Sequence, residues 1–175
     1  MTLLQHLQAR HLDTRLHTVW LDEQAGLAAF PLWNLSGKLL GYQQYRPSGS
    51  KSVNNDPREG KYFTRKLNNA EPTYWGIESW YLSNTLFLVE GLFDAARITA
   101  LGYSALAVFT NNPGANFSGF IKLVQKMRPV VAVCDNDVAG RKLAKYGHTS
   151  HVMEDGKDMG EASDEYVSAF LKQYS

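Results

Sequence analysis

The stretch "VVAVCDNDVAGRK", residues 130–142, joins an apolar run to an acidic turn. Residues 130–134 are small or β-branched and uninterrupted by charge, which is typical of a central strand in a parallel sheet. Asp135 and Asp137 follow directly, and the apolar spacing after them predicts a helix that packs close to the strand at Gly140. Because ligands of open α/β sheets bind beyond the carboxyl ends of strands, we expect a functional site at this turn.

The two aspartates of this turn have two explanations. A single Asp at this position is explained by capping of the following helix, without any further function. Two carboxylates on neighbouring turn positions repel each other, and the second is not needed for capping. The pair therefore favours a bound divalent cation.

Composition sets the class of protein. The chain has 175 residues, 44% of them hydrophobic, which is enough for one compact domain or two small ones. We expect a cytoplasmic protein without a membrane segment, since polar residues interrupt the N-terminal leucines and no run of about 18 apolar residues occurs. Cys134 is the only cysteine, so an internal disulfide and a cysteine-rich zinc site are excluded, and its apolar surroundings predict a buried, inert side chain.

The two halves of the chain differ in pattern. Residues 1–84 predict a small α+β subdomain, with one helix in the first 25 residues, a turn at 22–26, and mostly β structure from 27 to 66 around a hairpin at "NLSGK". In residues 85–175, four predicted strands, "TLFLVE", "SALAVFT", "PVVAVCD" and "TSHVME", alternate with helices, the last of which begins near Ser163. This alternation predicts an α/β fold with a parallel sheet, and we place the domain boundary near residues 82–84.

Acidic residues follow three of the four predicted parallel strands. They are Glu90 with Asp94, Asp135 with Asp137, and the group Asp155, Asp158 and Glu161 in "EDGKDMGE". Carboxyl ends of parallel strands share one edge of a sheet, so these carboxylates should converge and repel each other unless cations lie between them. Oxygen ligands without His or Cys favour Mg²⁺ or Mn²⁺ over zinc, and such ions suit phosphoryl or nucleotidyl transfer.

Not every acidic residue needs a functional explanation. Asp94 is explained equally well as a helix cap, and Glu154 and Asp155 as solvated turn charges. Glu90, Asp135 and Asp137 remain as the candidate catalytic residues.

A basic segment lies between residues 38 and 66, where seven Lys or Arg stand against two acidic residues and are interleaved with Tyr and Phe. Such a segment can follow a phosphate backbone and stack bases, although a solvated hairpin face with a few buried rings explains it as well. Within it, the Gly, Pro, Ser and Asn content of residues 46–60 predicts a mobile loop that orders on binding.

The segments "VEGLFDAARITALGY", "CDNDVAGRKLA" and "EDGKDMGE" resemble the three signature segments of the Toprim domain found in bacterial DnaG-type and phage primases. The resemblance covers about residues 85–165. It implies a Rossmann-like parallel sheet flanked by helices and one or two Mg²⁺ or Mn²⁺ ions, without zinc. The implied ligands are Glu90, Asp94, Asp135, Asp137 and Asp158. Gly160 departs from the family, which has an acidic residue there, and Glu161 is displaced by one position.

The upstream half resembles the basic subdomain that precedes the Toprim part in these primases, through "FPLWNLSGKLLGYQQYR" and "GKYFTRK". The resemblance implies that Arg46, Lys61 and Tyr62 contact nucleic acid or nucleotide, and Lys66 of the same basic segment is a further candidate. Tyr62 either stacks on a base or is a buried ring. The implied partners are a single-stranded DNA template and nucleoside triphosphates. No segment resembles the family's zinc ribbon or helicase, so we expect a separate protein to supply those functions.

Three functional hypotheses follow. The first is a primase-like nucleotidyltransferase core acting in phage or bacterial DNA replication. The second is a metal-dependent nuclease that uses the same carboxylates with water as the nucleophile, and the third is a non-catalytic single-stranded-DNA-binding adaptor. Only the two enzymes require the carboxylates for turnover, so Asp135→Asn separates them from the adaptor.

Overall fold

The computed structural model describes residues 1–51, 56–110, 113–154 and 158–174. The first half forms helix α1 and an antiparallel sheet, and the second half forms a parallel sheet with helices. The elements of the first half are α1 (Leu3–Ala9), β1 (Trp20–Asp22), β2 (Leu27–Trp33), β3 (Leu39–Tyr45) and β4 (Tyr62–Lys66). Those of the second half are β5 (Leu86–Val89), α2 (Leu92–Ala100), β6 (Ser104–Ala107), α3 (Gly114–Gln125), β7 (Val130–Cys134), β8 (Thr149–Val152) and α4 (Asp164–Lys172). The predicted α/β class is confirmed.

The antiparallel sheet has the strand order β1-β2-β3-β4. The predicted hairpin between β2 and β3 is present: the side chain of Asn34 accepts hydrogen bonds from the backbone N–H groups of Ser36 and Lys38, at 3.0 and 2.9 Å. Gly37 has a φ of +77°, which a residue with a side chain rarely adopts. Strand β1 was not predicted, because its three residues are all exposed and show no alternation.

The parallel sheet has the order β6-β5-β7-β8, so the chain places β6 on one side of β5 and then returns to place β7 on the other. This reversal is the topological switch point at which open α/β sheets bind ligands. Alternate residues of β5 face opposite cores. Phe87 and Val89 pack with α2, α4 and part of the antiparallel sheet, whereas Leu86 and Leu88 pack with α3.

Residues 72–80 connect the two sheets and pack on the parallel one. Trp75 pairs with Ala107 of β6 through two backbone hydrogen bonds of 2.9 and 3.0 Å. Tyr74 and Trp80 are buried in the core on the α3 side. Residues upstream of the predicted boundary at 82–84 are thus part of the packing of the parallel sheet, and a division into domains at this point stays a prediction.

The helix predicted after β7 is a 3₁₀ helix, Gly140–Tyr146, and not an α-helix. It connects the end of β7 to the start of the parallel strand β8, so the chain must travel back over about the length of one strand. A five-residue strand is about 16 Å long. Seven residues of 3₁₀ helix span about 14 Å, against about 10 Å for an α-helix, so the 3₁₀ helix spans more of this distance with the same number of residues.

Two smaller predictions are confirmed. The last helix, α4, begins next to Ser163, whose side chain accepts a hydrogen bond from the backbone N–H of Tyr166, and Cys134 is buried. The predicted mobile loop includes residues 52–55, which lie outside the described residues. Within the described ranges, no helix is long and apolar enough to cross a membrane.

Candidate catalytic cleft

A cleft of about 380 Å³ lies at the carboxyl edge of the parallel sheet, between this edge and the antiparallel sheet. One wall is acidic and the other is basic, aromatic and amide-bearing. The acidic wall comprises Glu90, Asp94, Asp135 and Asp158; the opposite wall includes Arg10, Gln43, Lys51 and Tyr62. The structure thus brings together four of the five acidic residues that the sequence singled out as metal ligands.

Glu90 and Asp135 follow the neighbouring strands β5 and β7, which places their carboxylates side by side. Burial, together with the charges of Asp135 and Asp137, raises the pKa of Glu90. Burial and the charges of Asp158 and Asp137 likewise raise the pKa of Asp135. No ion pair among the described residues involves Glu90 or Asp135, so their repulsion is not relieved by a protein cation.

Asp94 holds two loops together at the acidic wall. Its Oδ2 accepts a hydrogen bond from the backbone N–H of Gly91 at 3.0 Å, and its Oδ1 accepts one from Gly160 at 2.8 Å. Burial, and next the charge of Asp158, nevertheless raise the pKa of Asp94 to about 7. Asp94 therefore has a structural role at the start of α2, and its predicted role as a metal ligand stays a prediction.

Asp158 and Asp137 both accept backbone hydrogen bonds, but only Asp158 lines the cleft. Asp158 accepts from the N–H of Glu161 at 2.8 Å. Asp137 is exposed, and its side chain accepts a hydrogen bond from the N–H of Gly140, the first residue of the 3₁₀ helix, whose N-cap residue is Ala139. Asp137 therefore has a structural role in the turn, and its predicted role as a catalytic residue and metal ligand stays a prediction. Asp135 lines the cleft. Asp155 lies outside the described residues.

The opposite wall is built around Arg10, which the sequence analysis did not identify. The guanidinium carbon of Arg10 lies 3.8 Å from the ring centroid of Phe93, and its Nη1 lies 3.4 and 3.5 Å from the hydroxyl oxygens of Tyr45 and Tyr62. Tyr62 is 42% exposed and its ring centroid lies 5.2 Å from that of Tyr45. A cation and an accessible ring that face carboxylates suit a ligand with both phosphate and base.

The other predicted nucleic-acid residues lie outside this cleft. Arg46 donates to the backbone oxygen of Ala25 at 2.7 Å, at the turn between β1 and β2. The pKa of His6 on α1 is lowered by burial, by the charge of Arg10 and by that of Lys61. Lys61 therefore lies near α1. Lys66 lines a second cavity, described below.

The acidic wall fits a hard cation that keeps part of its water shell. Glu90, Asp135 and Asp158 offer oxygen ligands. Burial, and next the neighbouring carboxylates, raise the pKa of Glu90 and of Asp135, and a cation would offset the second of these causes. In the part of the chain that the structure describes, no three His, Cys, Asp or Glu side chains form a ready-made metal site. This arrangement suits Mg²⁺, which uses one or two carboxylates together with water and substrate phosphates.

Comparison with known proteins gives matches by structure only. No family model matches the sequence, and no curated protein is similar to it. The Aquifex aeolicus primase, in a structure of its zinc-binding and RNA polymerase domains, matches with a TM-score of 0.65 and 17% identity over 97% of this chain and 54% of that chain. The primase fragment of the bacteriophage T7 primase-helicase protein matches with a TM-score of 0.66 and 11% identity over 95% of this chain and 71% of that chain.

A third match is a DnaG primase catalytic domain bound to single-stranded DNA, with a TM-score of 0.61 and 17% identity over 89% of this chain and 57% of that chain. This chain spans about half the length of the cellular primase chains that it matches. At these identities the likeness concerns the fold. The chain therefore has a fold similar to that of the catalytic cores of DnaG-type and phage T7 primases.

Proposed function

We propose that this chain is a primase-like nucleotidyltransferase core of the Toprim type, which joins nucleotides on a single-stranded DNA template with the help of divalent cations. The observation that carries the proposal is the cleft at the switch point of the sheet, where an acidic wall faces Arg10 and Tyr62. The likeness to primase cores, one of them bound to single-stranded DNA, supports the same assignment.

Glu90 and Asp135, with Asp158, would hold one or two Mg²⁺ or Mn²⁺ ions. Bound there, such ions supply a lowered pKa for an attacking 3′-hydroxyl and charge stabilisation at the transferred phosphoryl group. The carboxylates themselves orient this chemistry at the edge of the sheet, because the strands fix their backbone positions. Asp137 adds negative charge beside them and keeps the turn in shape through its bond to Gly140.

The basic wall would bind the nucleotide or the template. The guanidinium of Arg10, held against Phe93, presents N–H donors to a phosphate, and the exposed ring of Tyr62 offers a stacking surface for a base. Lys51 lines the same wall, and Lys66 extends the positive charge beyond it. Arg46 and Lys61 would contact a longer nucleic-acid strand that leaves the cleft on the α1 side.

A helicase or zinc-ribbon partner is part of the proposal. One structural neighbour is a fragment of a primase-helicase protein, and the structure of another includes a zinc-binding domain. The proposal therefore expects that adding such a partner stimulates nucleotide incorporation.

The test is incorporation of labelled nucleotide on single-stranded DNA with Mg²⁺ or Mn²⁺, for the wild type, Asp135→Asn and Glu165→Gln. Glu165→Gln is the control variant, because Glu165 is exposed on α4 and its substitution also removes one carboxylate. Short products that disappear in Asp135→Asn and persist in Glu165→Gln are expected. Breakdown of the template in place of new products would mean a nuclease, and equal DNA binding without any reaction in all three proteins would refute the enzymatic proposal.

A further inference from the structure

A second cavity, of about 170 Å³, lies beside the catalytic cleft. Phe109 lines the cleft, while its two neighbours Val108 and Thr110 line this second cavity, so a short stretch after β6 separates the two. The other walls come from Lys66 at the end of β4, from Thr73, and from the first turn of α3. The proposed function uses Lys66 as a positive charge but assigns no ligand to this cavity.

The first turn of α3 lines the cavity. Residues 114–116 are lining residues and begin a helix of twelve residues. The preceding residue, Pro113, has no side chain that could accept a hydrogen bond, and no side chain in the described ranges caps this helix. The N–H groups of a first helical turn have no partner within the helix, and the helix dipole favours an anion there.

Thr73 provides an independent sign that a ligand binds here. It lines the cavity and is 8% exposed, yet its buried hydroxyl oxygen has no hydrogen-bond partner. Leaving a buried hydroxyl unsatisfied is costly, and most such groups in proteins have a partner. A ligand oxygen in the cavity would supply one.

The charges around the cavity favour an anion. Lys66 is exposed and forms no ion pair with any residue in the described ranges. Glu71 also lines the cavity, but its carboxylate is engaged by the Nζ of Lys38 at 2.6 Å and the Nδ2 of Asn34 at 3.4 Å. The remaining charges are the ammonium group of Lys66 and the positive end of α3.

We propose that this cavity binds a phosphate group, held by the first-turn amides of α3, the hydroxyl of Thr73 and the ammonium group of Lys66. The cavity is separated from the cleft only by the stretch 108–110 after β6, and β6 is the neighbour of the strand that ends at Glu90. The phosphate belongs either to a nucleic-acid strand that continues out of the cleft or to a bound nucleotide. Naming DNA and nucleotide as the sources of the phosphate rests on the proposed function. The phosphate site rests only on the residues that line the cavity.

The experiment measures binding, not turnover. Affinity for a short fluorescent oligothymidine is followed by anisotropy at several salt concentrations, and affinity for ATP is followed by calorimetry. The variants are Lys66→Gln, Thr73→Val and, as the control, Lys126→Gln at the exposed C-terminal end of the same helix. Valine keeps the shape of threonine without the hydroxyl, and thermal melting checks that this buried variant folds.

Lys66→Gln is expected to weaken DNA binding several-fold at low salt and to reduce the slope of log Kd against log salt by about one, as for one lost phosphate contact. Thr73→Val is expected to weaken it about tenfold with the slope unchanged, as for a lost hydrogen bond to a charged group. Lys126→Gln should change affinity less than twofold. If ATP binding falls instead of DNA binding, the bound phosphate is that of a nucleotide.

Wild-type affinity of Lys66→Gln for both DNA and ATP would overturn the proposal. An effect of Lys126→Gln as large as that of Lys66→Gln would also overturn it, because the loss would then reflect overall charge. A chain that binds through this cavity but incorporates no nucleotide would refute the proposed function and leave the phosphate site standing. The two proposals therefore fail in distinguishable ways.

Discussion

Asp94 offers a test of the electrostatics of the acidic wall, through Asp94→Asn. Burial and the charge of Asp158 raise the pKa of Asp94 from the usual 3.8 to about 7, in spite of the hydrogen bonds from Gly160 and Gly91. A pKa difference of about three corresponds to about 4 kcal/mol. In the absence of cations, the ionised carboxylate therefore lowers the free energy of unfolding by about this amount above pH 7.

The sign of the pH dependence follows from the same pKa values. The pKa of Asp94 is higher in the folded than in the unfolded chain, so between about pH 4 and pH 7 the folded state binds a proton that the unfolded state does not. Acidification through this window stabilises the fold. A fall from pH 8 to pH 5 should restore about 3 kcal/mol of the stability lost to this carboxylate.

Asparagine removes the charge at nearly constant shape. Its single carbonyl oxygen replaces only one of the two acceptors, so the N–H of Gly91 or Gly160 loses its partner at a cost of about 1–3 kcal/mol. At pH 8, without divalent cations, Asp94→Asn should thus be about 1–3 kcal/mol more stable than the wild type. At pH 5 this advantage should vanish or reverse.

The assay is urea unfolding of both proteins at pH 8 and pH 5 in the presence of EDTA, with Glu165→Gln as the exposed control. Addition of Mg²⁺ at pH 8 should stabilise the wild type more than Asp94→Asn, because the charge of Asp94 adds to the repulsion at the acidic wall that a cation relieves, and the variant lacks this charge. A variant that is less stable than the wild type by the same amount at both pH values would refute the reasoning. Asp94 would then stabilise the fold through its hydrogen bonds without an electrostatic cost.

Two further predictions concern the backbone and the basic wall. Gly140→Ala should lower the free energy of unfolding by about 2 kcal/mol or more, because the new Cβ would lie 2.7 Å from the backbone oxygen of Asp135. The control is Gly119→Ala, whose Cβ meets no atom within 4 Å and which should be neutral or stabilising; urea midpoints measure both variants. Arg10→Gln should weaken ATP binding about tenfold, because a hydrogen bond to a charged group is lost. The control is Arg15→Gln, which should leave ATP affinity unchanged, since Arg15 pairs with Asp13. Equal ATP affinities of the two variants in calorimetry would exclude Arg10 from the site.

The convergence of the acidic residues was predictable because it follows from strand direction alone. The carboxyl ends of parallel strands lie along one edge in any strand order, so the residues directly after β5 and β7 had to share that edge, and the adjacency of these two strands in the sheet brings them close. The strands themselves were recognisable because both are buried along their whole length and therefore lack polar interruptions. The sequence thus carried most of the information for the acidic wall.

The opposite wall was not predictable from the same kind of pattern. Arg10 reaches the cleft only because α1 packs against the antiparallel sheet, and its contacts, Tyr45, Tyr62 and Phe93, come from three separate elements. Local periodicity contains no signal for such packing. The unsatisfied hydroxyl of Thr73 is likewise a property of the folded chain, because any threonine in the sequence looks the same until its surroundings are known.

Gly160 connects the departure from the primase pattern with the chemistry of the site. A Cβ at this position would lie 3.2 Å from Oδ1 of Asp94 and 3.3 Å from Oδ1 of Asp158, closer than most side-chain contacts. A carboxylate there would add negative charge beside a group whose pKa already reaches about 7. Gly160 instead presents its N–H to Asp94, so a donor stands where the resemblance expects an acid. Under the proposed metal mechanism, the cations would have one carboxylate fewer to balance. Among the described residues, the acidic ones that line the cleft are Glu90, Asp94, Asp135 and Asp158, and of these Asp94 is the one engaged by the N–H groups of Gly91 and Gly160.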